Sequence, residues 1–170
     1  MLKYGSDLIT GDTMDPEPIT ADILMLTHRI ATEYAVNDES SLSDAVRDMG
    51  TLEYIADKAQ TFDSNIDRAA WLLWSVSTMH PFVEGNKRTA LLSCQYALRN
   101  RRFQIDGREN ILNRDIRDIT SGNRGLDGVK QFIVNNSIAF NQNGVASYAN
   151  EDLVRMCANE SRVLLMKLSE

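Results

Sequence analysis

The sequence is poor in cysteine, in histidine and in long apolar runs, and each shortage excludes something. Its two cysteines, Cys94 and Cys157, lie far apart and fit no metal-binding or redox spacing. Each stands in a helical apolar pattern, so both are expected as buried, reduced thiols, which suits a cytoplasmic location. No stretch approaches the roughly 18 apolar residues of a membrane span. The first ten residues, MLKYGSDLIT, lack the apolar run of a signal peptide. A basic excess is also missing. The net charge of −6 and pI near 5.0 argue against bulk nucleic-acid binding, so no direct nucleic-acid partner is expected. Internal repeats and low-complexity tracts are absent, and no strand-like alternation is strong enough to support a sheet core.

What remains is an ordinary globular composition, 43% apolar and 25% charged over 170 residues, which predicts one folded unit with a real core. The periodicity is helical almost throughout, and the fold class is all-α. Residues 1–17, rich in Gly, Asp and Pro, read as an arm. From Thr20, which can cap, Ile23, Leu26, Ile30 and Tyr34 fall on one helical face. NDESSLSD, residues 37–44, reads as an exposed acidic connection, and TLEYIADKAQ, residues 51–60, as a short helix. NIDRAAWLLWSVSTM, from Asn65, carries apolar residues beyond one stripe, as a helix buried on several sides does. It should end near Met79, because Pro81 disfavours the helical state at His80. Another long helix is expected from Asn86 to about Asn100. Later elements read as a turn at IDGREN, a helix around NRDIRDIT, the loop SGNRG and a helix from Leu126 to about Phe140. The linker NQNGVAS then leads to one last amphipathic helix, with Leu153, Met156, Cys157, Leu164, Leu165 and Leu168 on its apolar side.

Between the two long helices lies HPFVEGNKRT, residues 80–89. A plain turn with a cap accounts for Pro81, Gly85 and Asn86. It does not account for Lys87 and Arg88. In a first helical turn the macrodipole is already positive, and a cation there is unfavourable by a few tenths to about 1 kcal/mol. Two in succession suit a site that receives an anion at a helix N-terminus, with Gly85 permitting close backbone approach. Glu84 beside that site has the chemistry of a magnesium ligand, since magnesium takes one or two carboxylates and keeps its waters. His80 can act as general base near neutral pH and take the proton of a hydroxyl aimed at a bound phosphorus, which is phosphoryl- or nucleotidyl-transfer logic. His28, mid-helix and without acid–base neighbours in sequence, reads as structural. The stretch is not a P-loop: the G-x-x-x-x-G-K-[ST] spacing is missing and no strand precedes it. Residues 85–104 form a local basic band in an acidic protein; Arg99, Arg101 and Arg102 read as cations favoured at the far helix end.

HPFVEGNKRTA resembles the signature of the Fic/Doc proteins, H-x-F-x-[DE]-[GA]-N-[GK]-R, at His80, Phe82, Glu84, Gly85, Asn86, Lys87 and Arg88. The resemblance implies a Fic/Doc-type helical bundle with the active-site loop between two central buried helices. It divides the chain into an arm (1–17), a Fic/Doc-like helical domain (18–138) and a C-terminal helical extension (139–170). It implies ATP or another nucleotide with magnesium as cofactors, and a target-protein hydroxyl as acceptor. On the matching positions His80 would be the general base, Phe82 the loop anchor and Glu84 the magnesium ligand. Gly85 and Asn86 would form the anion hole with the helix start, Lys87 would lie beside the phosphates, and Arg88 would neutralise phosphate. A flap that aligns the target would fall near residues 37–48. The motif is mixed. HPF, Glu84 and Gly85 look like Fic-type members, which mostly transfer AMP. Lys87, Thr89 and Ala90 look like the Doc-type branch, which phosphorylates elongation factor Tu, and Leu91 stands where Fic-type members carry a second arginine. The expectation leans to phosphoryl transfer, with AMP transfer as the alternative and a catalytically silent nucleotide-binding module behind both. A toxin restrained by an antitoxin partner fits this branch. SYANED, residues 147–152, only partly matches the family's self-inhibitory pattern, and its arginine partner is replaced by Leu91.

Overall fold

Two helices that are buried nearly all round pack against each other and the rest of the core, and this pair organises the fold. The structure, a computed structural model, describes residues 18–34, 45–99, 103–105, 109–139 and 150–168. Among these residues the elements follow as α1 (Ala21–Thr32), α2 (Met49–Gln60), α3 (Asn65–Met79), α4 (Asn86–Arg99), β1 (Phe103–Ile105), α5 (Glu109–Thr120), α6 (Leu126–Asn136), β2 (Ser137–Ala139), α7 (Asn150–Glu160) and α8 (Arg162–Lys167). The fold is helical, as the periodicity requires. The expected arm, the 37–44 connection and the 141–147 linker lie outside the described residues.

α3 and α4 pack along each other at the centre. Leu72, Leu73 and Val76 of α3, and Leu91, Leu92 and Leu98 of α4, are fully or almost fully buried. α2, α5 and α6 cover α3, while α1, α7 and β1 cover α4. Polar side chains lock these layers by hydrogen bonding to backbone carbonyls of neighbouring elements. The Trp71 indole N–H donates to the Ile55 carbonyl, holding α3 on the middle of α2. The buried Arg68 guanidinium donates to the carbonyls of Ala59 and Phe62 and to Asn65 Oδ1, tying down the connection between the same two helices. Caps fall where short polar side chains stand: Thr20 before α1, Asp48 before α2 and Ser64 before α3.

Several boundaries differ from expectation, each for a non-local reason. α6 stops at Asn136, not near Phe140. The Asn136 side chain donates to the Phe132 carbonyl and the Ser137 hydroxyl to the Ile133 carbonyl, competing with the helix ladder. The chain then turns extended and pairs antiparallel with β1, Phe103 opposite Ala139 and Ile105 opposite Ser137. α5 begins at Glu109, inside the expected IDGREN turn. The last amphipathic run is two helices. At Ser161 the hydroxyl accepts from the Gln95 amide across the core and does not cap α8.

Cys94 and Cys157 are both buried free thiols. Burial pushes the Cys94 thiol far above its usual value and raises that of Cys157 to about 12, so neither carries thiolate at neutral pH. The native protein should therefore resist alkylation by iodoacetamide and react at both cysteines once unfolded in guanidinium. Prompt native labelling at either position, read by mass spectrometry, would contradict the packing of α4 against α7.

Candidate active site

α3 ends at Met79 and α4 starts at Asn86, so residues 80–85 span the gap between the two central helices. The helix does not fray out. His80 occupies the C-cap position in the left-handed region, φ 49° and ψ 61°, and is the one non-glycine residue with positive φ among the described residues. Glycine is the usual occupant of that position, and a residue with a Cβ is strained there by about 1–2 kcal/mol. Pro81 fixes the next φ and cannot continue the helix. The turn so made leaves the His80 side chain half-buried at the mouth of the loop.

Three contacts fix the loop from within and from beside. Phe82 is 1% exposed and enters the core. Asn86, expected as an N-cap, reaches back across the loop: its Oδ1 accepts from the Phe82 N–H at 3.0 Å and its Nδ2 donates to the Phe82 carbonyl at 2.9 Å. The side chain that might have covered the first amides of α4 is thus committed to closing the loop. Thr89 adds a second lock, its hydroxyl donating to the Gly85 carbonyl, which also accepts the first α4 ladder bond from the Thr89 N–H. Gly85 has φ 75°, and a Cβ there would stand 3.2 Å from Thr32 Cγ2 and 3.3 Å from His28 Nε2. Its close approach is therefore to α1.

Two elements that the motif does not contain complete the setting. Residues 45–48 lie alongside the loop. Val46 bridges Phe82 antiparallel, the Val83 N–H donates to Ala45, and the Arg47 and Asp48 N–H groups both donate to the Pro81 carbonyl. The Arg47 guanidinium donates to the Met79 carbonyl, at the helix end just before His80. This is the part of the expected flap that lies within the described residues. On the other side, α1 supplies His28, which is 1% exposed. Its ring stacks on Phe82 at 3.9 Å with a 6° interplanar angle, and its Nε2 lies 2.8 Å from the Glu84 carbonyl.

All seven motif positions thus share one loop and the helix turn that follows it, with different exposures. Glu84 and Lys87 are half-buried, and Asn86 is buried. Arg88 is 5% exposed, its Nε donating to the Leu165 carbonyl of α8 at 3.0 Å. The C-terminal helices therefore reach the base of the site, which the motif gives no hint of. Leu91, at the place of the second arginine, is 0% exposed in the apolar core. Glu151, the acid of the partly matching inhibitory segment, is held at the surface by Arg155 and Arg29. Sequence reasoning also missed His28, Arg47 and Leu165 as neighbours of the loop. Only the position of His28 on the same α1 face as Thr32, one turn apart, offered a signal, and nothing in it named the loop as partner.

Among the described residues no helix is long and apolar enough to cross a membrane. No curated protein and no solved structure matches the chain. One family does: residues 18–98, just under half the chain and the part that runs from α1 through the loop into α4, match the Fic/DOC family.

Proposed function

We propose that the protein is a transferase that phosphorylates a hydroxyl of a target protein, using ATP and magnesium at the loop between α3 and α4. Members of the Fic/DOC family generally transfer nucleotide-derived groups to proteins and commonly use ATP with magnesium. The single observation that carries the reading is the strained αL geometry of His80 at one end of a loop whose other end is a helix start bearing Lys87 and Arg88. Left-handed strain at a non-glycine residue persists where the surrounding structure enforces it, and such sites concentrate where chemistry needs a side chain aimed.

In this reading His80 accepts the proton of the target hydroxyl as that oxygen forms its bond to the γ-phosphorus, and ADP departs with the electrons of the broken P–O bond. The phosphates lie against the N-terminus of α4, where the helix dipole and the backbone of Gly85 and Asn86 favour anions. Lys87 approaches them from the more open side. Arg88, buried under α8, contributes its charge through the protein interior, where salt screens it weakly. Magnesium fits the donor chemistry present: Glu84, half-buried beside the start of α4, offers the carboxylate that a phosphate-bound magnesium takes. Bound there it would neutralise phosphate charge; the residues of this chain do the positioning.

Lys87 supports phosphoryl over AMP transfer. Where Fic-type members have glycine it adds bulk and charge beside the phosphates, and the position of the second arginine is held by Leu91, buried in the apolar core. The Fic-like HPF, Glu84 and Gly85 favour AMP transfer as the second reading. The surface pairing of Glu151 supports restraint by a separate antitoxin protein over restraint by residues 147–152, and so the role of a toxin. Incubation with magnesium, cell lysate and ATP labelled at either the α- or the γ-phosphate tests the assignment. Protein labelling from γ alone is expected, and the labelled band identifies the target. Label from α instead establishes AMP transfer and removes the argument from Lys87. Binding of ATP with no labelled product from either position makes the domain a silent nucleotide-binding module.

A further inference from the structure

We infer that His28 of α1 is a positioning residue for the metal-binding side of this loop, acting on Glu84 through its backbone; the inference rests on the functional reading above. The Glu84 carbonyl can only accept, so the 2.8 Å contact requires His28 to carry its proton on Nε2 and donate. The same ring stacks at 3.9 Å on Phe82, the residue that anchors the loop from the other side of Glu84's neighbour Val83. Gly85 then passes so close to His28 and Thr32 that a Cβ there would press on both side chains. One buried imidazole therefore fixes the peptide on the C-terminal side of Glu84 and the ring two residues before it. With both flanks held, the direction in which Glu84 leaves the backbone is restrained from α1, alongside the backbone pairing with residues 45–48. The Val83 side chain, by contrast, is exposed, and only its backbone N–H is held, by the Ala45 carbonyl.

The stack and the hydrogen bond can be separated. His28→Phe keeps an aromatic ring on Phe82 and removes the donor; His28→Gln keeps an N–H of similar reach and removes the ring. Hydrogen-bond partners behind a metal ligand typically change metal affinity about 10- to 100-fold. ATP binding to the full chain, measured by calorimetry across a magnesium series, reads this without requiring turnover. His28→Phe should need at least about tenfold more magnesium for the same gain in ATP affinity, with a melting temperature close to that of wild type. His28→Gln should melt lower and yet keep a near-native magnesium requirement. A purely structural histidine would give the opposite pattern, with magnesium dependence unchanged in the Phe variant or following stability in both, and that result overturns the inference. Should His28→Phe fail to fold, a tenfold higher magnesium requirement in His28→Gln overturns it equally. Glu84→Ala runs alongside. If wild type responds to magnesium and Glu84→Ala does not, the reading of the loop stands, and the His28 variants decide the present point alone. If wild-type ATP binding ignores magnesium, the functional reading falls and takes this inference with it.

Discussion

His80→Ala should reduce label transfer from ATP to the target protein by about 10²- to 10⁴-fold, the usual contribution of a positioned general base. At 1.36 kcal/mol per decade this is about 3–5 kcal/mol of transition-state stabilisation, larger than any other single-residue effect on activity expected here. ATP binding should hardly change, because the phosphates are held by the start of α4 and not by the imidazole. The backbone supplies an independent check. With φ at 49°, His80 stores strain that glycine would not. Relief of about 1–2 kcal/mol is partly offset by the added freedom of glycine in the unfolded chain, about 0.5–1 kcal/mol. His80→Gly should thus be inactive and at least as stable as wild type, while His80→Ala is inactive and no more stable. A variant that gains stability as it loses activity marks a residue kept for function against its local cost. If His80→Gly melts several degrees below wild type, the side chain is there to hold the helix end, and its assignment as base loses its main support. If it retains full transfer activity, the assignment is wrong.

The ends of the two central helices were legible because short-range chemistry sets them. Pro81 stops one, the Gly85–Asn86 pair starts the other, and the structure places both boundaries at the residues expected. The central position of these helices was legible too, since Trp71, Leu72, Leu73 and Val76 cover more than one face. What escaped was decided across the chain. Asn86 looks like a cap, and its side chain is claimed by Phe82. Ser161 sits mid-pattern in an apolar stripe, but its hydroxyl is drawn to Gln95 on α4 and the helix divides. SIA, residues 137–139, is too short to read as a strand until FQI, residues 103–105, lies beside it. The candidate site shows the same division. Its seven motif residues fall within positions 80–88 and carry their chemistry in the order of the motif. Its supports, His28 from α1, residues 45–48 from before α2 and Leu165 from α8, come from three other parts of the sequence.

Two of those supports, His28 and residues 45–48, meet at Phe82, and Phe82→Ala should be the most destabilising single truncation in the loop. The ring is 1% exposed and stacks on His28, while the backbone of the residue bridges Val46 and has its N–H and carbonyl held by Asn86. Truncating a buried phenylalanine costs about 3–5 kcal/mol through lost transfer energy and the cavity left behind. The loss of an aromatic pair adds about 0.5–1.5 kcal/mol. Against a total stability of about 5–15 kcal/mol, that is enough to leave a sizeable unfolded fraction near body temperature. Phe82→Leu refills most of the volume without the stack, so it should lose clearly less than half as much, in chemical denaturation with unchanged m-value. The two variants also separate packing from positioning. The leucine variant keeps the fold but frees His28 and the backbone it holds, so its transfer activity should fall by more than its stability loss explains at temperatures where it is fully folded. A leucine variant with wild-type activity would show that the loop is held by Asn86 and the 45–48 bridge alone, and that the aromatic anchor serves the core and not the site.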